Sequence, residues 1–182
     1  MVKKNLIVSP YKAKFINNSE VLFLADYSKS QDIENISNSN SLPYHWNDKS
    51  KAEADYIYLS NLKKKLLNQL ANKLNDIHNT DLSLKAWNLV VGNWLTSFLI
   101  VSYDRYYMLK NVNEKNNNLI TYYTNFDRKN FIPHDTFQAR LDFVDKKWNY
   151  IFINNLIDYF PDIKVIKKDS QKVFQKLKKE KE

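Results

Sequence analysis

Hydrophobic and polar positions follow one another along the chain in blocks that predict a mixed α/β protein. Two short apolar runs near the start, Asn5 to Ser9 and Glu20 to Ala25, are compact enough for buried strands and favour a parallel sheet. Leu119 to Tyr123 and Ile163 to Ile166 predict two further strands. The segment from Asp26 to Leu42 is rich in Ser and Asn, so we expect a loop there.

The first long helix is predicted from about Ser50 to His78. Ser50 and Glu53 have the spacing of a capping box, in which each side chain satisfies a free backbone N–H group. Apolar residues then recur at spacings of three and four, at Leu59, Leu62, Leu66, Leu70, Leu74 and Ile77. One face of this helix should therefore pack on a core.

The second helix is predicted from Leu82 to Lys110, with Thr80 or Asp81 as its N-cap. Its middle is apolar on nearly every side, which predicts the most buried element of a three-layer fold. Gly92 is the only glycine of the chain, and inside a helix it costs about 1 kcal/mol relative to alanine. Close packing or a ligand against the backbone would explain it.

A loop from Asn111 to Asn118 and a third helix complete the pattern. Asp135 and Gln138 again have capping-box spacing, and the apolar stripe that follows ends before Pro161. We therefore predict a helix-rich α/β fold with a short, mostly parallel sheet packed by three long helices. Residues 1–163 should form one domain, and the Lys-rich residues 164–182 a flexible, dispensable tail.

Composition narrows the class of protein. The absence of cysteine excludes disulfides and thiolate metal sites and is typical of the cytoplasm. The net charge of +8 is concentrated after Lys164, so we expect a basic tail and no specific nucleic-acid partner. The apolar run from Ala86 to Val101 is interrupted by Asn and Thr and is shorter than the roughly 20 residues that span a bilayer. No transmembrane segment is expected.

The familiar catalytic motifs are absent. A single glycine excludes both the P-loop and the dinucleotide-binding fingerprint, which need several glycines at fixed spacing. The three histidines, His45, His78 and His134, have no helical i, i+4 spacing, so we expect no metal site. No serine lies in a glycine-flanked elbow. The sequence therefore assigns no catalytic residue.

Three local clusters combine aromatic rings with polar groups: residues 44–48, residues 74–78, and Trp94 with residues 103–106. From them we take six candidate ligand-binding residues: His45, Trp46, Asp48, His78, Asp104 and Arg105. Asp104 and Arg105 are adjacent and point about 100° apart on a helix, so we expect each to have its own partner. Arg105 is either a structural ion pair or a contact to an anionic ligand, and His78 has the alternative role of complementing the helix dipole.

These clusters resemble the surface-polysaccharide (sugar) transferases of spirochaetes and other bacteria. The matching segments are Val21 to Leu24, Tyr44 to Asp48, Leu74-Asn75 with His78, Trp87, Gly92 to Leu95, Tyr103 to Tyr106, Asp142-Phe143 and Trp148-Asn149. The resemblance covers roughly Asn18 to Phe160 and corresponds to the N-terminal portion of longer proteins. Asn93 departs from the family pattern, which has proline at that position.

The resemblance implies the acceptor-side part of a two-domain sugar transferase, inactive alone, in the cytoplasm or at the inner membrane surface. This chain would hold no cofactor, since an activated sugar donor would bind a separate C-terminal domain. That domain or subunit and a glycan acceptor would be its partners. Two alternatives remain: a free-standing α/β binding or scaffold protein without catalysis, and a nucleic-acid binder that uses the basic tail and releases its ligand at moderate salt.

Overall fold

The computed structural model describes residues 4–11, 20–24, 39–124 and 132–168. These residues contain a five-stranded, fully parallel sheet in the order β3-β2-β1-β4-β5. The strands are β1 (Lys4–Ile7), β2 (Val21–Phe23), β3 (Ser39–Ser41), β4 (Leu119–Thr124) and β5 (Lys164–Lys168). The predicted fold class, a helix-rich α/β fold with a parallel sheet, is confirmed, and four of these strands coincide with predicted ones.

β3 lies where the sequence predicts a loop. Its three residues, Ser-Asn-Ser, carry no apolar side chain that could signal a strand. The segment is extended because it pairs in parallel with β2 at the edge of the sheet, with Val21 opposite Ser39 and Phe23 opposite Ser41. Backbone pairing with a neighbour therefore creates this strand, and no local pattern announces it.

The helical elements are a 3-10 helix (His45–Asn47), α1 (Lys49–His78), α2 (Leu84–Lys115), α3 (Thr136–Asp142) and α4 (Lys146–Ile157). The predicted caps of the first two helices are wrong by a few residues. Asp48, not Ser50, caps α1 by accepting from Ser50 N at 3.0 Å. Ser83, not Thr80 or Asp81, caps α2 by accepting from Ala86 N at 3.2 Å.

The predicted ends of α2 and of the third helix also need correction. α2 continues to Lys115, through the predicted loop, because Leu109 and Val112 are fully buried against the sheet. The predicted third helix is two shorter helices, since Asp145 starts a new one by accepting from Trp148 N at 2.7 Å. The Lys-rich segment begins within β5, while its residues 169–182 lie outside the described residues, so the predicted flexible tail stays a prediction.

The sheet packs its apolar side chains on the C-terminal part of α2 and on α4. One core cluster joins Leu6 and Val8 of the β1 segment to Met108, Leu109 and Val112 of α2 and to the buried face of α4. Strand residues of the opposite face, such as Ile7, Val21 and Phe23, are also buried. Burial on both faces is usual for a parallel sheet, and the predicted third layer stays a prediction.

α2 is too long for the sheet that it covers. Its 32 residues span about 48 Å, whereas strands of three to six residues reach about 20 Å at most. Only its last third packs on the strands, so its first part extends past the carboxyl ends of the strands beside the antiparallel α1. We call this α1–α2 pair the helical hairpin. Its own small core contains Leu59, Leu67, Leu95 and Leu99.

The prediction that the helix around Trp87 to Val101 is the most buried element is wrong. Leu89 is 78% exposed and Val90 is 60% exposed, because this part of α2 lies in the projecting hairpin. The most buried helix is α4, in which seven of the twelve residues are buried. Apolar residues on all sides of a helix are therefore not sufficient to place it at the centre of this fold.

Replacing Gly92 by alanine should stabilise the protein. An added Cβ would lie 2.4 Å from Asn88 Oδ1, but Asn88 is exposed and its side chain can rotate away. We expect Gly92→Ala to raise the free energy of unfolding in urea by about 0.5–1 kcal/mol, the usual gain inside a helix. The gain should be largest in an Asn88→Ala background. A loss in the single variant would show that Asn88 is needed where it lies.

Candidate functional site

Several polar residues meet at the carboxyl ends of the strands. His45 follows β3 by four residues, and Ser9 follows β1. Ser9 Oγ donates to the carbonyl of Lys146 at 2.7 Å, which holds the start of α4 at the same edge of the sheet. In the strand order β3-β2-β1-β4-β5, the chain changes direction between β1 and β4. Open α/β sheets bind ligands at such a point, outside the carboxyl ends of their strands.

A buried chain of polar side chains crosses this edge. His45 Nε2 lies 2.9 Å from Asp104 Oδ1, and the other carboxylate oxygen of Asp104 accepts from Arg105. Arg105 Nε donates to Asn149 Oδ1 at 2.8 Å, and Asn149 Nδ2 donates to the carbonyl of Phe143 at 3.0 Å. We call His45, Asp104, Arg105 and Asn149 the edge network. It connects the segment after β3 to the middle of α2 and the start of α4.

The edge network holds a neutral imidazole. Burial, and next the charge of Lys51, lower the pKa of His45 below its usual value. Burial raises the pKa of Asp104, although Arg105 and the Tyr44 hydroxyl act against that rise. The Asp104 carboxylate can accept a hydrogen bond from Nε2–H of a neutral ring, which leaves Nδ1 with a free lone pair. That atom is buried and has no hydrogen-bond partner among the described residues.

A second polar cluster lies beside the edge network, centred on Asp55 of α1. Its carboxylate accepts from Trp46 Nε1 at 2.9 Å, from Lys51 Nζ at 2.6 Å and from the Tyr103 hydroxyl at 2.7 Å. We call these four residues the Asp55 cluster. Three donors on one buried carboxylate are enough to offset the free-energy cost of removing its charge from water. The cluster therefore locks the 3-10 helix onto α1 and α2.

Electrostatic effects within the Asp55 cluster are strong. Burial raises the pKa of Asp55, but the hydrogen bonds from Lys51, Tyr103 and Trp46 outweigh it and hold the pKa below its usual value. Burial and the bond to Asp55 raise the pKa of Tyr103 to about 12. Tyr107 joins the two clusters, since its ring centre lies 3.5 Å from Lys51 Nζ and 4.9 Å from the His45 ring.

Of the six candidate residues, the structure brings His45, Asp104 and Arg105 into direct contact and places Trp46 beside them. The expectation that Asp104 and Arg105 do not pair with each other is wrong. Their Cβ atoms diverge on the helix, but the Arg105 side chain is long enough to fold back onto its neighbour's carboxylate. Asp48 is exposed and caps α1, a role that explains it without a ligand.

His78 is far from the other candidates. It is exposed at the C-terminal end of α1, and its ring lies 6.0 Å from that of Trp87. The 17 residues of α2 from Trp87 to Asp104 separate it from the edge network by about 25 Å. Its neighbour Asn75 is structural, because its Oδ1 accepts from Leu82 N and Trp87 Nε1 and so closes the hairpin turn. The cluster at residues 74–78 thus forms the tip of the hairpin.

Sequence reasoning missed Lys51, Asp55, Tyr107 and Asn149 as members of the site. A signal for Asp55 was available, because it precedes Leu59 by four residues and continues the buried stripe of α1 with a carboxylate. Its i, i+4 spacing from Lys51 also predicts an ion pair. Asn149 lies in one segment of the family resemblance, but nothing local connects it to Arg105, because only the folded chain brings α4 against α2.

Neither a metal site nor a membrane crossing is established by the arrangement. No group of three or more His, Asp or Glu residues within the described ranges could hold a metal ion. Within those ranges one helix, α2, is long and apolar enough to cross a bilayer, which is weak evidence by length and composition alone. α2 packs against α1, α3 and α4. The predicted absence of a metal site therefore remains a prediction, as does the predicted absence of a transmembrane segment.

Removing the Asp55 carboxylate should destabilise the protein severely. Asp55→Ala leaves the Lys51 ammonium, the Trp46 indole and the Tyr103 hydroxyl without their shared acceptor. We expect the free energy of unfolding in urea to fall by about 2–4 kcal/mol. Asp76→Ala, which removes an exposed carboxylate from the same helix, should change it by less than about 0.5 kcal/mol. Equal losses in the two variants would contradict the assignment.

The neutral state of His45 should make stability depend on pH. Because its folded-state pKa is lowered, its contribution is complete above the ordinary value of 6.5 and is lost as the pH falls towards the folded-state pKa. The unfolding free energy should therefore fall more steeply from about pH 7 to pH 5 in the natural protein than in His45→Gln. Asp104 titrates in the opposite sense but is present in both proteins. Parallel pH profiles from urea titrations would refute a lowered pKa.

Comparison with known proteins places the chain among transferases. A family model described as "LIC12162 family transferase" matches residues 4–182. No curated protein and no solved structure gives a significant match. The matched range contains every described residue of the edge network and the Asp55 cluster. The chain belongs to the LIC12162 family of transferases.

Proposed function

We propose that this chain forms the acceptor-side part of a glycosyltransferase that builds bacterial cell-surface polysaccharide. Its membership of a transferase family supports the general reaction class. One observation carries the finer assignment: a neutral imidazole, His45, is held by the Asp104 carboxylate while its Nδ1 atom has no partner among the described residues. That atom is the general base that accepts the proton of the acceptor hydroxyl.

The reaction is a displacement at the anomeric carbon of an activated sugar. The acceptor oxygen forms the new bond to that carbon, the bond to the phosphate leaving group breaks, and the hydroxyl proton passes to His45 Nδ1. Asp104 then stabilises the imidazolium, because its carboxylate lies 2.9 Å from Nε2. The low pKa of His45 keeps the ring neutral and ready to accept a proton near pH 7.

In this proposal the acceptor reaches His45 by displacing Tyr44, the one exposed ring among three that pack on the imidazole. The His45 side chain is 1% exposed, whereas Tyr44 is 38% exposed and its ring centre lies 4.9 Å from the imidazole. An aromatic ring in this position also suits a sugar, whose C–H groups pack on aromatic faces.

In this proposal a partner binds the donor sugar. The only glycine, Gly92, lies inside α2, so no connection between a strand and a helix carries the glycine-rich turn that cradles a diphosphate. A C-terminal domain or separate subunit would bind the activated donor, and the isolated chain would transfer no sugar. The complex would act in the cytoplasm or at the inner membrane surface, where activated sugars meet the growing glycan.

A free-standing binding or scaffold protein is the second candidate function. The near-complete burial of His45 favours it, because an enclosed side chain is usually structural. The two functions make opposite predictions about His45. A scaffold needs only a side chain at position 45 that preserves the fold, whereas a transferase needs a group there that accepts a proton.

Replacing His45 by Gln at the native locus should remove or shorten the surface polysaccharide. Gln retains an N–H donor for Asp104 but cannot act as a base at pH 7. Gel electrophoresis of surface polysaccharide, with immunoblotting for the protein, provides the measurement. His78→Gln, the same change at the hairpin tip, should leave the polysaccharide normal. Normal polysaccharide in His45→Gln cells with unchanged protein abundance would exclude His45 as the base and favour the scaffold. Normal polysaccharide after deletion of the whole gene would contradict the proposed function itself.

A further inference from the structure

An open groove runs between the two helices of the hairpin, away from the edge network. Its volume is about 610 Å³. The floor is apolar and includes Leu59, Leu67 and Leu99, which belong to the hairpin core. The rim contains Lys63 and Lys64 of α1 and, across the groove, Lys85 of α2. The groove therefore combines an apolar floor with positive charge on both sides.

We infer that this groove binds an anionic lipid, through its apolar chain and its phosphate. The charge of the rim carries the argument. None of its three lysines forms an ion pair with a described carboxylate, and no Asp or Glu among the described residues lines the groove. The lysines thus present uncompensated positive charge beside apolar surface. A phosphate attached to an apolar chain complements both features at once.

The side chain of Lys63 extends over the groove. A Cβ atom at Gly92 would lie 3.7 Å from Lys63 Nζ, so the ammonium group reaches across from α1 to the surface of α2. The floor extends from Leu59 to Leu67, about 12 Å along α1. An extended alkyl chain fits this length, with the lysines of the rim available to its phosphate.

The exposed surface of α2 supports a lipid over a soluble anion. Ile100 lines the groove and is 40% exposed, and Leu84 at its other end is 43% exposed. In the most apolar 18-residue stretch of α2 only 17% of the residues are buried. Apolar side chains that are exposed to water at the edge of a groove become buried when an alkyl chain binds. A soluble anion would leave them exposed.

Binding of monodecyl phosphate to the purified full-length chain tests the inference. Isothermal titration below the critical micelle concentration should show saturable binding. Inorganic phosphate, which lacks the chain, and decyl glucoside, which lacks the charge, should each bind at least about tenfold more weakly. Equal affinity for inorganic phosphate would reduce the groove to an anion site. Equal affinity for decyl glucoside would reduce it to an apolar surface, and either result would overturn the inference, as would the absence of binding.

Two sets of variants locate the site. Lys63→Glu with Lys64→Glu should weaken monodecyl phosphate at least about tenfold, whereas Lys65→Glu with Lys73→Glu makes the same charge change on exposed positions outside the groove and should have little effect. Ile100→Trp should block the chain while leaving all lysines in place. Equal weakening in both lysine pairs, or full binding by Ile100→Trp, would contradict the location.

The lipid site is independent of the proposed sugar transfer. The titration uses no donor or acceptor sugar, and none of the substituted residues belongs to the edge network. Failure to bind monodecyl phosphate would leave the role of His45 untouched. Normal polysaccharide in His45→Gln cells would likewise not contradict lipid binding in the groove.

Discussion

The buried carboxylate of Asp104 is the group on which the rest of the site depends. It is 3% exposed, and a carboxylate at that depth costs several kcal/mol unless its partners surround it. His45 and Arg105 supply those partners, and Arg105 extends the contact to Asn149. His45 comes from the segment after β3, whereas Arg105 follows Asp104 on α2 and reaches α4 through Asn149. The need to satisfy one charge therefore holds the segment after β3, the middle of α2 and the start of α4 in a single arrangement.

A mismatch of lengths decides the shape around this centre. The strands are short and α2 is long, so the sheet covers only the last part of that helix. The remainder must pack on something else, and it runs back along α1, which precedes it in the chain, to form the hairpin. Asp55 secures the base of the hairpin through three donors, and Asn75 secures its tip. Between these two anchors the helices meet through leucines and leave the lysine-rimmed groove open.

The two proposed activities use different physical properties of the same hairpin. At its base, burial keeps His45 neutral and Asp104 fixes the direction of the ring, which is what proton acceptance requires. Along its side, exposed apolar surface lies beside lysines that form no ion pair with a described carboxylate, which is what an anionic amphiphile requires. A transferase that works on a lipid-borne acceptor would need both. The family assignment establishes the transferase class, while the acceptor and the donor partner belong to the proposal.

Local chemistry in the sequence determined the elements, and tertiary contacts determined how they meet. Strong apolar runs such as Leu119 to Tyr123 predicted their strands because burial of such residues is favourable in any fold, and the leucine stripe of α1 predicted its length. β3 and the break before α4 depended on pairing and packing with distant residues. Sequence placed His45, Asp104 and Arg105 among the candidates, because polar groups beside apolar runs need partners. Only the tertiary structure showed that α2 runs unbroken from Leu84 to Lys115, which keeps His78, beside Trp87, about 25 Å from Asp104.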